Sequence, residues 1–293
     1  MIHHSSFMSF RYIDIHSHVN FTAFDADREE VLKRALDAGV AVINVGTQQL
    51  TSRRAIELAE QYEKGVYAIV GLHPVHTSKS FHDEKELGEG GKEFTSRSEA
   101  FEVTHYRDLA EHPKVVGIGE CGLDYYRIES EALRIKQEEA FRAQIELAIS
   151  VQKPLMLHLR NGSGRSAYKD AFSILNSYFS IHNSSLKGNL HFFAGSIEEA
   201  TPFLDLGYTF SFTGVITFAK EYQEVIRYLP LTSILSETDA PYVAPAPYRG
   251  TRNEPLHVRE VVKAIANIRG EEEETVRVQL LQNAEQLFNI KLS

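Results

Sequence analysis

Six side chains in this sequence could share one chemical task. His16 and His18 stand two apart in Ile13-Asp14-Ile15-His16-Ser17-His18. Residues two apart on a strand share a face, so both imidazoles can point to one place and chelate one divalent ion. Glu120 follows the apolar run Val115-Val116-Gly117-Ile118-Gly119, His158 follows Leu155-Met156-Leu157, and His191 follows Gly188-Asn189-Leu190. Asp239 lies in Glu237-Thr238-Asp239-Ala240-Pro241, after a further apolar run. A carboxylate at the end of an apolar strand is costly to bury without a counter-ion. Four imidazoles and two carboxylates suit zinc, manganese, nickel or iron rather than calcium. They exceed what one tetrahedral ion needs, and two ions about 4 Å apart that share Glu120 fit better.

These residues can meet only if strand ends converge. Short apolar runs at 12–15, 41–45, 66–71, 115–119, 154–157, 188–193, 208–212 and 232–235 alternate with amphipathic stretches of helical length. The stretches fall at 28–38, 52–63, 105–112, 131–150, 166–179, 197–206, 220–228, 258–269 and about 274–288. Alternating strands and helices predict a parallel sheet, and eight such units predict an α/β fold of the single (β/α)8, TIM-type barrel class. In that fold chemistry sits at the C-terminal ends of the strands, where the six candidates fall. No Gly-x-Gly-x-x-Gly follows the first run, which argues against dinucleotide binding. One domain is expected over 1–293, with a Gly-, Glu- and Lys-rich loop insertion at 82–100 that is either passive or a lid.

Composition limits the alternatives. The 293 residues are 43% hydrophobic and 24% charged, which is globular. No run approaches the roughly 18 apolar residues of a membrane helix, and no signal peptide is read at the start. A single cysteine, Cys121, forbids an intrachain disulfide, so a cytoplasmic protein is expected. Cys121 itself reads as a buried structural thiol facing away from Glu120, because no activating base is visible. A net charge of −9 argues against non-specific coating of nucleic acid but allows a local cationic cluster. His76, His82, His105, His112 and His182 read as solvated, His3 and His4 as part of a frayed terminus, and His257 as near the rim. Asp124 and Tyr126 read as residues that shape their loop.

The ordered motifs resemble those of the TatD family of metal-dependent deoxyribonucleases, among the amidohydrolase-type metal barrels. They are His16-Ser-His18, Gly-Leu-His73-Pro74, Gly-Glu120-Cys-Gly-Leu-Asp124-Tyr-Tyr, His158-Leu-Arg160, His191-Phe-Phe-Ala-Gly-Ser196, Glu237-Thr-Asp239-Ala-Pro and Asn253-Glu254-Pro255. The resemblance runs from about Tyr12 to Phe288. It departs at Leu159, Ala194 and Asn161-Gly162, none of them a ligand candidate.

The resemblance implies metal ligation by His16, His18 and Asp239 for one ion and by His158 and His191 for another, with Glu120 bridging. It implies two divalent ions of the zinc, magnesium or manganese kind, and Asp239 and Glu120 as the catalytic carboxylates, Asp239 orienting water and taking its proton. His73, Arg160, Arg249 and Asn253 would lie near the substrate phosphate. The implied activity is a 3′–5′ exodeoxyribonuclease acting as a monomer on single-stranded or frayed DNA ends, with RNA as a further substrate and no membrane partner. The alternative is an amide or ester hydrolase using the same dinuclear site; Arg160, Arg165, Arg249 and Arg252 favour an anionic substrate over it.

Overall fold

Valine and isoleucine crowd the segments that become strands. Val40–Val45 reads Val-Ala-Val-Ile-Asn-Val, and all six residues are buried. A strand without polar alternation is covered on both faces, as in a parallel sheet wrapped by helices. In the computed structural model, which describes residues 10–79, 81–82, 94–95, 98–126, 128, 130–182 and 186–292, this segment is the second of eight parallel strands. They are β1 (Tyr12–Ser17), β2 (Val40–Val45), β3 (Val66–Val70), β4 (Val115–Asp124), β5 (Leu155–Arg160), β6 (Gly188–Leu190), β7 (Thr209–Phe212) and β8 (Ile234–Ser236). Each pairs in parallel with the next. A parallel bridge between Ser17 and Ala240 joins the last strand region to the first, so the sheet closes as a barrel.

The helices are α1 (Arg28–Asp37), α2 (Gln49–Glu60), α3 (Val103–Ala110), α4 (Glu131–Val151), α5 (Ala167–His182), α6 (Ile197–Asp205), α7 (Gln223–Tyr228), α8 (Val258–Arg269) and α9 (Glu273–Phe288). Their apolar stripes face the strands. In α8 the buried set Val258, Val261, Val262, Ile265 and Ala266 repeats at helical spacing. Helix α6 opens with a capping box, Ser196 accepting from Glu199 N while the Glu199 side chain accepts from Ser196 N.

The expected barrel is therefore the fold. The differences lie at strand ends. β4 runs on to Asp124 and β5 to Arg160, so Glu120 and His158, expected at strand ends, lie inside their strands. β6 stops at Leu190 because Phe192 takes a left-handed φ of 44° that no ladder accommodates. Most of segment 82–100 lies outside the described residues. At its end, Glu99 accepts from Tyr106 Oη at 2.6 Å and from Gln49 N at 3.3 Å, which ties it to α3 and α2. Among the described residues no helix is long and apolar enough to cross a membrane.

Candidate metal centre

The strand ends bring five imidazoles around one carboxylate. Glu120 Oε1 lies 2.9 Å from His158 Nδ1, 3.2 Å from His73 Nε2 and 3.5 Å from His191 Nε2. Its Oε2 lies 3.3 Å from His16 Nε2 and 3.9 Å from His18 Nε2. Asp239 Oδ1 completes the group at 3.3 Å from His18 Nε2 and 3.8 Å from His16 Nε2. All six expected ligand candidates therefore meet in one pocket. Its cavity measures about 600 Å³ and is lined by His18, Glu120, His158, His191 and Asp239 among others.

Local backbone explains how they get there. Gly119 sits at φ +151°, and a Cβ on it would lie 2.5 Å from the Met156 carbonyl oxygen, so only glycine lets β4 shift register here. Just beyond that irregularity Glu120 is 3% exposed, with its N–H donating to Gly46 O. Asp239 holds a left-handed φ of 56°, its N–H donating to His16 O at 2.9 Å and its carbonyl accepting from Tyr242 N at 2.9 Å. Strain of this kind in a non-glycine residue persists where surrounding bonds over-determine it.

Partners outside the cluster fix the rings. His18 donates Nδ1–H to Val45 O at 2.9 Å, which leaves its Nε2 with a lone pair facing His16 Nε2 at 3.2 Å. His158 Nε2 is 2.9 Å from Asp124 Oδ2, and His191 Nδ1 is 3.0 Å from Glu237 Oε1. Glu237 is fully buried and also accepts from Phe192 N and Ser211 Oγ. His73 Nδ1 accepts from Val75 N, so the nitrogen it turns to Glu120 carries a proton and donates. That makes His73 a positioning partner of Glu120 rather than a donor of electrons to an ion.

Charge is uneven across the pocket. Burial pushes His16 down to about 3, assisted by the nearby His191. Burial would also lower His158 and His191. The hydrogen bonds that His158 donates to Asp124 and Glu120 outweigh it there, so His158 rises to about 9, and the charges of Glu237 and Glu120 raise His191 to about 10. Burial alone would raise Glu120, but the imidazoles of His73, His191 and His16 hold it well below the ordinary carboxylate range.

The donor set fits divalent ions. Ligand atoms of His16, His18 and Glu120 all lie within 4.8 Å of one another. The Nε2 atoms of His16 and His18 face each other, and His16 Nδ1 has no hydrogen-bond partner among the described residues. Mixed nitrogen and oxygen donors of this kind are what zinc or manganese takes.

The expected substrate residues divide. His73, Arg160 and Arg249 line the cavity. The Arg160 guanidinium lies 3.9 Å from the Tyr126 ring centroid and that of Arg249 lies 3.8 Å from the Phe218 centroid. Asn253 is placed differently. It is fully buried away from the cavity lining, its amide donating to Thr238 O and Tyr242 O while Oδ1 accepts from Glu254 N, so it braces the loop after β8. His76, expected to be solvated, is instead buried and lines the cavity beside His73, because the turn at Pro74–Thr77 folds it inward. His112 is partly exposed and 3.1 Å from Glu60 Oε1, His105 is half-buried, and the half-buried His257 stacks on Tyr248. His3 and His4, and the side chains of His82 and His182, lie outside the described residues. Cys121 is buried in the core with its thiol pushed up by burial, as a structural cysteine should be.

Sequence reasoning missed the residues that hold this arrangement. Asp14, read only as a neighbour of His16, accepts from Thr238 N at 2.9 Å, from Thr238 Oγ1 and from His16 N at 3.2 Å. Gln137 and Gln144 of α4 are almost wholly buried. Gln144 binds both the N–H and the carbonyl of Leu72, and Gln137 accepts from Asp124 N and donates to Pro74 O. Two glutamines seven apart on the apolar face of a helix were the available signal.

A closed parallel barrel with buried imidazoles and carboxylates gathered at its C-terminal mouth has the architecture of a metal-dependent hydrolase. The profile of the family described as TatD related DNase matches residues 13–289, and the chain belongs to that family. It is 35% identical over 280 residues to the uncharacterized metal-dependent hydrolase YabD of Bacillus subtilis, covering 94% of this chain and 98% of that one. It is 33% identical over 285 residues to the 3′-5′ ssDNA/RNA exonuclease TatD of Pantoea ananatis, covering 94% and 99%. Among solved structures, the TatD homolog YJJV of Escherichia coli K12 superposes with a TM-score of 0.78 at 30% identity, covering 96% and 99%. The protein is a metal-dependent hydrolase acting on ester bonds.

Proposed function

We propose that this hydrolase trims nucleotides from the 3′ ends of single-stranded or frayed DNA, and that RNA ends are a second substrate. The observation that carries the reading is the convergence of His16, His18, Glu120, His158, His191 and Asp239 in one cavity whose wall also includes Arg160 and Arg249. A cleft with positive groups beside a buried donor cluster suits an anionic ester. Its enclosure suits a chain end better than a duplex. A relative named as a 3′-5′ ssDNA/RNA exonuclease, 33% identical over nearly its whole length, supports the same substrate class.

His16, His18 and Asp239 would hold one divalent ion and His158 and His191 a second, with Glu120 shared. Bound there, two ions lower the pKa of water towards neutrality and neutralise charge on phosphoryl oxygens. Asp239 Oδ1, beside His18 and His16, orients the attacking water and accepts its proton. The water oxygen bonds to the phosphorus of the terminal nucleotide, the bond from that phosphorus to the 3′ oxygen of the preceding residue breaks, and that oxygen takes up the proton held by Asp239. Arg160 and Arg249 grip the non-bridging oxygens, each guanidinium lying over an aromatic ring. His73 keeps Glu120 aimed by donating Nε2–H to Oε1.

The test is a panel of single-stranded DNA, RNA and acylated amino acids offered to the metal-loaded protein and to Asp239→Asn. Oligonucleotides should be shortened from the 3′ end. The variant should lose about 10²- to 10⁴-fold in rate with its metal content, measured by elemental analysis, largely kept. Full activity in the variant removes Asp239 as the base. Turnover of the acylated amino acids with none of the oligonucleotides replaces the nuclease reading with an amide or ester one.

A further inference from the structure

Part of the cavity wall has no role in the chemistry above. Phe192 follows β6, while Val215, Phe218 and Tyr222 follow β7, and all four line the cavity that holds the donor cluster. Phe218 is 43% exposed, one of the few large apolar side chains so open among the described residues. A phosphate accounts for the arginines and the metal donors. It does not account for a hydrocarbon wall beside them.

The wall is built, not incidental. Phe192 adopts a φ of 44°, a left-handed conformation that residues other than glycine rarely take. Its N–H is held by Glu237 Oε1 at 2.6 Å. The turn Gly214–Thr217 that delivers Phe218 is pinned at both ends. Thr213 Oγ1 accepts from Val215 N at 3.4 Å, and Thr217 Oγ1 donates to Gly214 O at 2.7 Å while accepting from Ala246 N at 2.9 Å. A Cβ on Gly214 would sit 2.6 Å from Val243 O and 2.7 Å from Pro245 N, so the loops after β7 and β8 touch backbone to backbone. Phe218 comes from one of these loops and Arg249 from the other, and the guanidinium lies 3.8 Å from the ring centroid.

The ligand must therefore carry a flat apolar body close to a phosphate, and a nucleotide is such a ligand. We propose that Phe218, with Phe192 and Tyr222, forms a stacking subsite for the base of the terminal nucleotide, whose phosphate meets Arg249 and the donor cluster. This rests on the nuclease reading and names what that reading leaves open: how a chain end is held without regard to its sequence. Every base has a π-face, so stacking on aromatic rings tolerates all of them.

The test uses the manganese-loaded protein and two probes that differ only in the base, deoxyadenosine 5′-monophosphate and deoxyribose 5-phosphate, titrated by calorimetry. The nucleotide should bind roughly tenfold or more tightly than the sugar phosphate. Phe218→Ala should bring the ratio close to one, and Phe218→Trp should restore it. Tyr228→Ala removes an aromatic that is also 43% exposed but lies off the cavity lining, and it should keep the wild-type ratio. A wild-type ratio near one, or a ratio that Phe218→Ala leaves unchanged, overturns the subsite. The two readings separate cleanly. If the expected ratios appear but no 3′ end is trimmed, the subsite stands and the nuclease reading falls. If oligonucleotides ending in a normal residue or in an abasic tetrahydrofuran are trimmed equally well, the nuclease reading stands and the subsite falls.

Discussion

The two halves of the pocket hold their imidazoles in different ways. On the β1/β8 side, His18 donates to the backbone carbonyl of Val45, a neutral partner, and His16 is kept uncharged by burial. On the β4–β6 side, His158 and His191 each lie between Glu120 and a second carboxylate, Asp124 or Glu237. A carboxylate behind a ligating histidine raises its basicity and fixes its tautomer, while a carbonyl chiefly fixes orientation. The first half is therefore set by backbone geometry and the second by charge. Glu120 belongs to both.

Substitutions at these partners can break that contrast. Glu120→Ala should have the largest effect, because it strips the shared acid from five imidazoles. Metal content should fall on both sides, and kcat/KM should drop on the order of a thousandfold or more, several kcal/mol of lost charge stabilisation. Retention of two ions per chain by elemental analysis would contradict the sharing of Glu120.

Asp14→Ala comes next and acts on the β1/β8 half alone. It removes the acceptor of three hydrogen bonds, two that join β1 to Thr238 and one from His16 N within β1. Chemical denaturation should show a loss of about 2–4 kcal/mol. A neutral result would mean that β8 is held in place by packing alone.

Asp124→Asn and Glu237→Gln probe the charged half. Each keeps the shape and removes the charge behind one histidine, and each should cost ten- to hundredfold in metal affinity or activity. Calorimetric metal titration should locate the loss at one of two sites. An equal loss at both would show that the halves are not separable.

The smallest effect is expected at the surface of the β1/β8 side, where Arg252 grips Asp27 with two hydrogen bonds. That bond holds the Asp27 carboxyl below its ordinary 3.8, with the arginine charge adding to it. A depressed folded pKa stabilises the protein above the ordinary value, and the contribution is lost as pH falls through the folded value. Both side chains are about a third exposed, so Asp27→Asn should cost under about 1 kcal/mol at neutral pH. The gap in melting temperature between variant and parent should close in acid. A gap that widens there would reverse the assignment.

Much of this was legible in the residues. Alternation of apolar runs and amphipathic stretches predicts the barrel, because a parallel strand covered on both sides leaves an unbroken hydrophobic signature, as in Val40–Val45. The six ligand candidates stand out because ionisable residues at the ends of such strands are expensive. The supporting residues were hidden for the opposite reason. Asp14, Gln137 and Gln144 are single polar residues inside apolar patterns, and nothing local says what they touch, since Asp14 bonds across 224 residues and Gln144 across 72. Asn253 misled because a motif fixes its place in the chain without fixing where its amide points. His76 misled because a helical turn after Pro74 carries it inward, and no periodicity marks a turn of four residues.

The Ser17–Ala240 bridge and the hydrogen bonds between Asp14 and Thr238 join β1 to the segment after β8 at the same rim that carries His16, His18 and Asp239. One side of the pocket is thus assembled from residues 224 apart in the sequence. During synthesis Asp239 must have left the ribosome before those three side chains can meet. A fragment that stops short of Asp239 therefore lacks one wall of the pocket, however well its first strands have formed.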